Sequence, residues 1–266
     1  MGFDLDAYLE RIGHRGPVEP TVACLDALHL AHVGSIPFEN LDILLGCPIL
    51  LDLEALQDKL VRGGRGGYCF EQNTLFAAAL EEIGFGVTRL AARVRLGTRE
   101  ITARSHMTLS VDAEGSGRLA DVGFGGGSIL QSLPIEPGEA VEQLGWSFRL
   151  VEDDEGRMLQ GLGPEGWRDF YSFTFEPQLP IDYEVANHFT STHPSSHFTQ
   201  TPTAQISSPE RSLILRGRTL IEVTPFGETA TEIPEGELLH VLAERFALEF
   251  PEGTRFVPLD RSKRPF

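Results

Sequence analysis

Cys69, His106 and Asp121 are a nucleophile, a base and an acid whose types could form one catalytic triad. A cysteine attacks a carbonyl carbon as its thiolate, which an adjacent imidazole or a helix N-terminus stabilises. A carboxylate can in turn fix the tautomer of that imidazole. Taken singly, the three would be a buried thiol, a structural histidine and a turn or strand acid. The trio indicates acyl-transfer chemistry only where the fold brings the side chains together.

Cys69 is expected at or near the start of a helix. The run Gly63-Gly64-Arg65-Gly66-Gly67 precedes it, and Gly84 provides a C-terminal stop. Apolar residues recur between them at helical spacing, at Phe70, Leu75, Phe76, Ala79, Leu80 and Ile83. Because glycines carry no side chain, the run before Cys69 would let a backbone or a substrate approach closely. The helix N-terminus would favour the thiolate.

His106 and Asp121 are expected on neighbouring strands of one sheet, where they could meet. Met107, Leu109 and Val111 alternate with polar residues, so His106 lies on the opposite face of its strand. Asp121 lies inside a short apolar strand, where a buried carboxylate needs a partner. The same period of two appears in two further runs, Leu90-Ala92-Val94-Leu96 and Tyr171-Phe173-Phe175. This spacing predicts a small antiparallel barrel in the middle of the chain.

The segments on either side of the predicted barrel differ in period. The first third has helical spacing, with Asp52 as a possible helix cap. From Glu184 to Arg211 periodicity is poor and Ser, Thr, Pro and His are frequent, which predicts a connection and a boundary there. Residues 213–223 predict a hairpin, and the apolar positions of residues 238–246 predict a final amphipathic helix.

Composition and charge exclude several classes of partner. The 266 residues include 41% hydrophobic and 23% charged residues, which is typical of a folded globular protein. A net charge of −17 would repel nucleic acid and an anionic membrane surface. Three cysteines, Cys24, Cys47 and Cys69, fit neither a disulfide framework nor a zinc site, so no metal is expected. With no apolar stretch of about 18 residues and no signal peptide, we predict a cytoplasmic protein.

Five segments of the sequence together resemble the arylamine N-acetyltransferase family. The most specific is Arg65-Gly66-Gly67-Tyr68-Cys69-Phe70-Glu71-Gln72-Asn73. The others are Pro37-Phe38-Glu39-Asn40-Leu41, the strand with His106-Met107, Asp121-Val122-Gly123-Phe124-Gly125, and Asn187-His188-Phe189-Thr190-Ser191-Thr192 continuing to Phe198. They follow the order and spacing of the family and cover nearly the whole chain.

The resemblance implies a three-part α+β fold with a cysteine-protease-like triad of Cys69, His106 and Asp121. Its parts are a helical bundle over residues 1–85, an antiparallel β-barrel over 86–190, and a connecting segment with an α/β lid over 191–266. Positions that line the acceptor pocket of the family correspond to Phe38, Val94, Phe124 and Phe198. Gly125 and Gly126 would let the pantetheine arm of coenzyme A pass close to the thiol.

The implied reaction transfers acetyl from acetyl-CoA to an arylamine, arylhydrazine or arylhydroxylamine, a reaction of xenobiotic metabolism, through an acetyl-cysteine. Three alternatives stay open. One is an amide synthase that acts on a carrier-bound polyketide, and another is a cysteine hydrolase or transglutaminase-like enzyme with the same triad. The third is a non-catalytic binding protein. The residues assign neither a particular amine nor an oligomeric state.

Overall fold

The computed structural model describes residues 2–98, 100–125, 127, 129–154 and 156–259. Its helices are α1 (Leu5–Arg11), α2 (Val22–Ser35), α3 (Leu41–Leu44), α4 (Leu53–Leu56), α5 (Cys69–Ile83), α6 (Pro180–Thr192) and α7 (Leu238–Phe246), with a π-helical turn at Gln57–Arg62 and a 3₁₀ turn at His197–Thr199. Its strands are β1 (Phe38–Glu39), β2 (Gly86–Val94), β3 (His106–Ala113), β4 (Ser116–Ala120), β5 (Leu133–Pro134), β6 (Val141–Gln143), β7 (Trp146–Asp153), β8 (Gly156–Gly163), β9 (Gly166–Pro177), β10 (Thr203–Ser207), β11 (Ser212–Arg216), β12 (Thr219–Thr224) and β13 (Gly227–Glu232).

Side chains at the helix ends satisfy backbone groups as the sequence predicts. Asp52 accepts a hydrogen bond from the N–H of Ala55 and so caps α4, as expected. Thr21 caps α2 in the same way. Helix α5 begins at Cys69 and ends where Gly84 adopts the left-handed conformation, with φ of 107°. The helical first third and the extent of α5 are therefore confirmed.

The larger sheet is an antiparallel, nearly closed barrel of eight strands, in the order β5-β4-β3-β2-β9-β8-β7-β6. Gln143, at the end of one edge strand, closes the gap with its side-chain amide. Its Oε1 accepts from the N–H groups of Leu130 and Gln131 at 3.0 and 3.1 Å, and its Nε2 donates to the carbonyl of Gln131 at 2.8 Å. These residues lead into β5, the opposite edge. The predicted barrel is confirmed.

The two faces of β3 pack against different cores, as the alternation predicts. Met107, Leu109 and Val111 belong to the core that contains helix α5. Thr108, between them, lies 3.3 Å from the hydroxyl of Tyr171 on β9. Hydrophobic packing on the outer face of the barrel thus holds the helix of Cys69 against the strand of His106.

The smaller sheet joins both ends of the chain, in the order β1-β10-β11-β12-β13. Its first strand is the two-residue segment at Phe38, which pairs with Gln205. The predicted hairpin forms as β11 and β12, and α7 packs on this sheet through Leu242 and Phe246. Strand β13, which the sequence did not predict, completes the sheet.

The prediction of an irregular connection from Glu184 to Arg211 is wrong. Helix α6 extends to Thr192, and β10 lies within the same stretch. Its buried residues include the polar Asn187 and Thr190, whereas Ile181, Val185 and Phe189 are exposed, so the usual hydrophobic pattern is inverted. The expected boundary between residues 190 and 191 falls inside this helix.

Candidate active site

Cys69 is the first residue of α5, and a carboxylate within the same helix caps its N-terminus. The Glu71 Oε2 atom accepts the N–H of Tyr68 at 3.0 Å. The other oxygen of Glu71 accepts from Lys59 Nζ at 2.7 Å. Because a carboxylate at N3 satisfies a backbone donor at the helix end, this contact fixes the turn that carries the thiol.

The glycines before Cys69 permit a close approach between backbones. A Cβ atom on Gly66 would lie 1.9 Å from the carbonyl oxygen of Pro37, and one on Gly67 would lie 2.7 Å from the Glu71 carboxylate. Strand β1 occupies the space that a side chain would fill, and the N–H of Glu39 donates to the carbonyl of Gly67 at 3.0 Å. The predicted close approach is therefore made by the chain itself, next to the thiol.

His106 and Asp121 form a buried pair. His106 begins β3, and Asp121 follows the last residue of β4, which is the neighbouring strand. The expectation that Asp121 lies inside a strand is wrong by one residue, because the ladder ends at Ala120, paired with Leu109. His106 Nε2 lies 2.6 Å from Asp121 Oδ2. The exposed fractions are 2% for His106 and 1% for Asp121.

Further donors surround the Asp121 carboxylate. Its Oδ1 accepts from Asn73 Nδ2 at 2.9 Å and from the N–H of Gly123 at 3.0 Å. Asn73 also donates to the carbonyl of Met107 and accepts from the N–H of Val122, so one amide joins α5, β3 and the residue after Asp121. A buried carboxylate needs several such donors to remain charged.

The pair shifts the pKa values of both its members. Burial alone lowers the pKa of His106, but the Asp121 charge, its hydrogen bond and contact with Cys69 outweigh burial and raise it. Burial raises the pKa of Asp121, but the His106 charge and hydrogen bonds from His106 and Asn73 outweigh burial and lower it. The pair is therefore an imidazolium and a carboxylate at neutral pH.

The thiol of Cys69 lies beside this pair. Interaction with the thiol is one of the causes that raise the pKa of His106, and the Cys69 Sγ atom lies 3.7 Å from the carbonyl oxygen of Ser105, the residue before His106. Asp121 occupies Nε2 of the imidazole, so Nδ1 is the nitrogen left for the thiol. The arrangement can exchange one proton between sulfur and imidazole, which nucleophilic catalysis by cysteine requires.

Aromatic rings enclose the imidazole. The ring centroid of Phe124 lies 5.1 Å from that of His106, and that of Tyr171 lies 4.8 Å away. Val94 pairs with Tyr171 in the sheet and packs into the same barrel core as Phe124. Two of the four expected pocket residues, Phe124 and Val94, thus lie on the barrel side of the site.

The other two expected pocket residues lie on the helical side. Phe38 and Phe198 have ring centroids 5.9 Å apart, and Phe198 meets the ring of Tyr68 edge to face at 5.6 Å. The Tyr68 hydroxyl donates to Asn187 Oδ1, which ties α6 to the residue before Cys69. The two pairs approach each other at Gly125, where a Cβ atom would lie 2.6 Å from the Phe38 ring. Gly126, the second expected coenzyme residue, lies outside the described residues.

Comparison with known proteins identifies the family. A family model described as N-acetyltransferase matches residues 21–254. The arylamine N-acetyltransferase of Mycolicibacterium smegmatis is 42% identical over 83% of this chain and 82% of its own length. The chain belongs to the arylamine N-acetyltransferase family of acyltransferases.

Solved structures of family members share the fold. The Nocardia farcinica enzyme has 44% sequence identity and a TM-score of 0.88, covering 94% of this chain and 90% of its own. The enzyme of Mycobacterium marinum in complex with CoA has 36% identity and a TM-score of 0.88, with 92% of each chain covered.

A large cavity adjoins the site in this member of the family. Its volume is about 740 Å³, and it separates β7–β9 of the barrel from the smaller sheet. It is lined by residues that include Gly127, Phe170, Trp146, Trp167, Ser207 and Arg216. Phe170 also contacts Phe124, with ring centroids 5.6 Å apart. The ring of Phe170 therefore lies between the cavity and Phe124, which contacts His106.

The part of the chain that the structure describes contains neither a candidate metal cluster nor a helix fit to span a membrane. Among the residues that the structure describes, no group of three or more His, Cys, Asp or Glu side chains could hold a metal ion. The helices described in the chain are too short or too polar to cross a membrane.

Three residues of the site were not predicted from the sequence. Asn73 lies in the Cys69 segment, but its role depends on contacts with two strands that sequence spacing does not reveal. Tyr171 was predicted only as an alternating strand residue. His29, whose Nε2 accepts the N–H of Asp121 at 3.1 Å, carries no sequence signal, because the two residues are far apart in the chain.

Proposed function

We propose that the protein transfers acetyl from acetyl-CoA to the nitrogen of an arylamine, arylhydrazine or arylhydroxylamine through an acetyl-Cys69 intermediate. The observation that carries this proposal is the buried chain of contacts from Asp121 through His106 to Cys69 at the start of α5. Family membership supplies the reaction class, and the triad geometry supports a covalent route.

In the first half-reaction the Cys69 sulfur attacks the thioester carbonyl of acetyl-CoA. A new carbon–sulfur bond forms to the enzyme, the bond to the sulfur of coenzyme A breaks, and the departing thiolate takes a proton from His106. Asp121 holds the imidazole in orientation and stabilises its charge before this transfer. The products are acetyl-Cys69 and free coenzyme A.

In the second half-reaction the acceptor nitrogen attacks the acetyl carbonyl. His106, now neutral, accepts the proton of the attacking amine, and Cys69 leaves as thiolate. Net transfer therefore consumes one amine and restores the starting state of the triad. The buried aromatic surroundings of His106 limit water, which would otherwise hydrolyse the acetyl-enzyme.

The cavity beside the site is the proposed path of acetyl-CoA. Its volume of about 740 Å³ is that of a ligand-binding pocket, and its lining includes Gly127 from the loop that follows Asp121. A relative with the same fold is known in complex with CoA. Gly125 and Gly126 of this loop are the proposed neighbours of the pantetheine arm.

Phe38, Phe198, Phe124 and Val94 are proposed to bind the acceptor. An aromatic amine offers a flat apolar ring, and rings arranged edge to face, such as Phe198 against Tyr68, provide matching contacts. The ring of Phe38 bridges this group to Gly125, so acceptor and donor would meet at the thiol.

Mass spectrometry of the intact protein tests the covalent step. Incubation with acetyl-CoA without amine is expected to add one acetyl mass, located on Cys69. The Cys69→Ala variant is expected to gain none and to lose turnover, while Cys47→Ala, which changes an exposed cysteine, should match the parent protein. Turnover by Cys69→Ala would refute the proposal.

Product analysis separates the alternatives that share the triad. Release of CoA that depends on added arylamine supports transfer, whereas equal release without amine indicates a hydrolase. Acylation of Cys69 by a carrier-bound thioester but not by acetyl-CoA indicates an amide synthase. A panel of arylamines, arylhydrazines and arylhydroxylamines then ranks the acceptors.

A further inference from the structure

The backbone of Asp121 is held by a side chain rather than by the sheet. The strand ladder ends at Ala120, so the N–H of Asp121 has no partner strand to bond. It donates instead to Nε2 of His29, on helix α2, at 3.1 Å. His29 has no exposed surface, and its Nδ1 lies 3.1 Å from the carbonyl oxygen of Leu130.

The two partners of His29 determine its protonation state. The backbone N–H of Asp121 can only donate, so Nε2 must carry a lone pair; the carbonyl of Leu130 can only accept, so the proton is on Nδ1. An imidazolium would place two N–H groups against each other. Burial lowers the pKa of His29 to about 4, against the opposing charges of Asp121 and Asp26, which agrees with a neutral ring.

We propose that His29 is a positioning residue for the triad, whose neutral imidazole fixes the backbone of Asp121 and thereby the carboxylate that supports His106. The proposal rests on the proposed function in one respect only, that His106 acts as the base. The link it assigns, from His29 to the protonation of His106, can be measured without any turnover.

His29 is anchored on the side that carries the nucleophile. Its ring meets Phe76 edge to face, with centroids 5.7 Å apart, and Phe76 belongs to α5, the helix that Cys69 begins. One side chain therefore contacts the end of β4, the segment that leads to β5, and α5. A displacement of Asp121 relative to Cys69 would have to break one of these contacts.

Two amide substitutions separate the contacts of His29. The His29→Gln side chain places its oxygen near the position of Nε2 and can still accept from Asp121. The His29→Asn side chain reaches only the position of Nδ1 and keeps the contact with Leu130. We expect His29→Asn to slow acetylation of Cys69 roughly 10- to 100-fold relative to His29→Gln, because small displacements of catalytic groups reduce rates by such factors.

His32→Gln is a matched control. It lies on the same helix, is equally buried and also contacts Phe76, but it bonds to Gln72 and Tyr8 instead of Asp121. It should lower stability without changing the titration of His106. If His29→Asn acetylates Cys69 as fast as His29→Gln, or if both merely lower the melting temperature as His32→Gln does, His29 is a core residue and the proposal is wrong.

Nuclear magnetic resonance titration of the His106 ring distinguishes this proposal from the proposed function. In the parent protein the Asp121 pair keeps His106 protonated through neutral pH. We expect the midpoint to fall in His29→Asn and to stay near the parent value in His29→Gln and His32→Gln. An unchanged midpoint in His29→Asn overturns the positioning role, whereas a parent protein that titrates as expected but is not acetylated overturns only the proposed function.

Discussion

Gly123 packs directly against Cys69: a Cβ atom on Gly123 would lie 2.8 Å from the Cα atom of Cys69 and 2.8 Å from Asn73 Nδ2. The loop after Asp121 therefore rests on the backbone of α5 without an intervening side chain. Since a real Cβ atom essentially never lies within 3.0 Å of another heavy atom in this way, alanine at this position must push the loop and the helix apart.

We expect Gly123→Ala to reduce the acetylation rate of Cys69 at least tenfold and to lower stability by roughly 1–3 kcal/mol, as overpacking does. Stopped-flow release of coenzyme A and urea unfolding measure the two effects. Gly138→Ala is the matched control, because a Cβ atom there meets nothing within 4 Å. Equal behaviour of the two variants would contradict the steric argument.

The His106–Asp121 pair makes the fold less stable as the pH rises above neutral. The unfolded histidine titrates near ~6.5, and in the folded protein its pKa is raised to about 10. A raised histidine pKa stabilises the fold fully below the unfolded value, and that stabilisation is lost as pH rises through the folded value. We expect the free energy of unfolding to fall between pH 6.5 and 9.5, and to fall less in Asp121→Asn. Urea titrations at the two pH values test this, and parallel losses in both proteins would contradict it.

Two buried histidines make the fold less stable as the pH falls below neutral. Burial lowers the pKa of His29 to about 4 and that of His32 to about 3. Below pH 6.5 the unfolded chain binds protons that the folded chain does not, so each histidine destabilises the fold by about 1.4 kcal/mol per pH unit until its folded pKa is reached. We expect His32→Gln to weaken this dependence between pH 6.5 and 4.5, and an unchanged dependence in this variant would contradict the argument. Thermal melts across this range provide the measurement.

The aromatic group on the helical side is predicted to serve the second half-reaction. Phe198→Ala removes a ring that contacts both Phe38 and Tyr68. We expect the KM for an arylamine to rise about tenfold, which corresponds to loss of about 1.4 kcal/mol of binding, while the rate of acetyl-Cys69 formation changes little. Phe175→Ala, which removes a partly exposed ring on β9, is the control. A matched loss in both half-reactions would place Phe198 in general packing instead.

Much of the fold could be predicted where apolar residues recur on one face of an element. The period of α5 is visible because Phe70 and other apolar residues recur at helical spacing, and the alternation of β3 is visible because Met107 faces the core that contains α5 while the polar Thr108 faces the opposite side. Helix α6 was missed because its buried side carries Asn187 and its exposed side carries Val185. A pattern that assumes apolar burial cannot identify such a helix.

The site could be predicted as residue types but not as a network. The positions of Cys69, His106 and Asp121 in their segments were sufficient to select them. The amide of Asn73 and the imidazole of His29 act on Asp121 through contacts between distant segments. Such contacts depend on the packing of α2 and α5 against the barrel, and no local spacing encodes them.

The pairing of Phe38 with Gln205 also bears on synthesis of the chain. The first helices leave the ribosome long before β10 is made, so the edge of Phe38 and Glu39 that pairs with β10 stays unpaired during translation. The side chain of Asn40 also lacks its partners at that stage. In the folded protein it donates to the carbonyls of Phe198 and Thr201 and accepts from the N–H of Thr203. A nascent chain stalled before β10 would thus expose a strand edge beside the thiol, open to pairing with another chain.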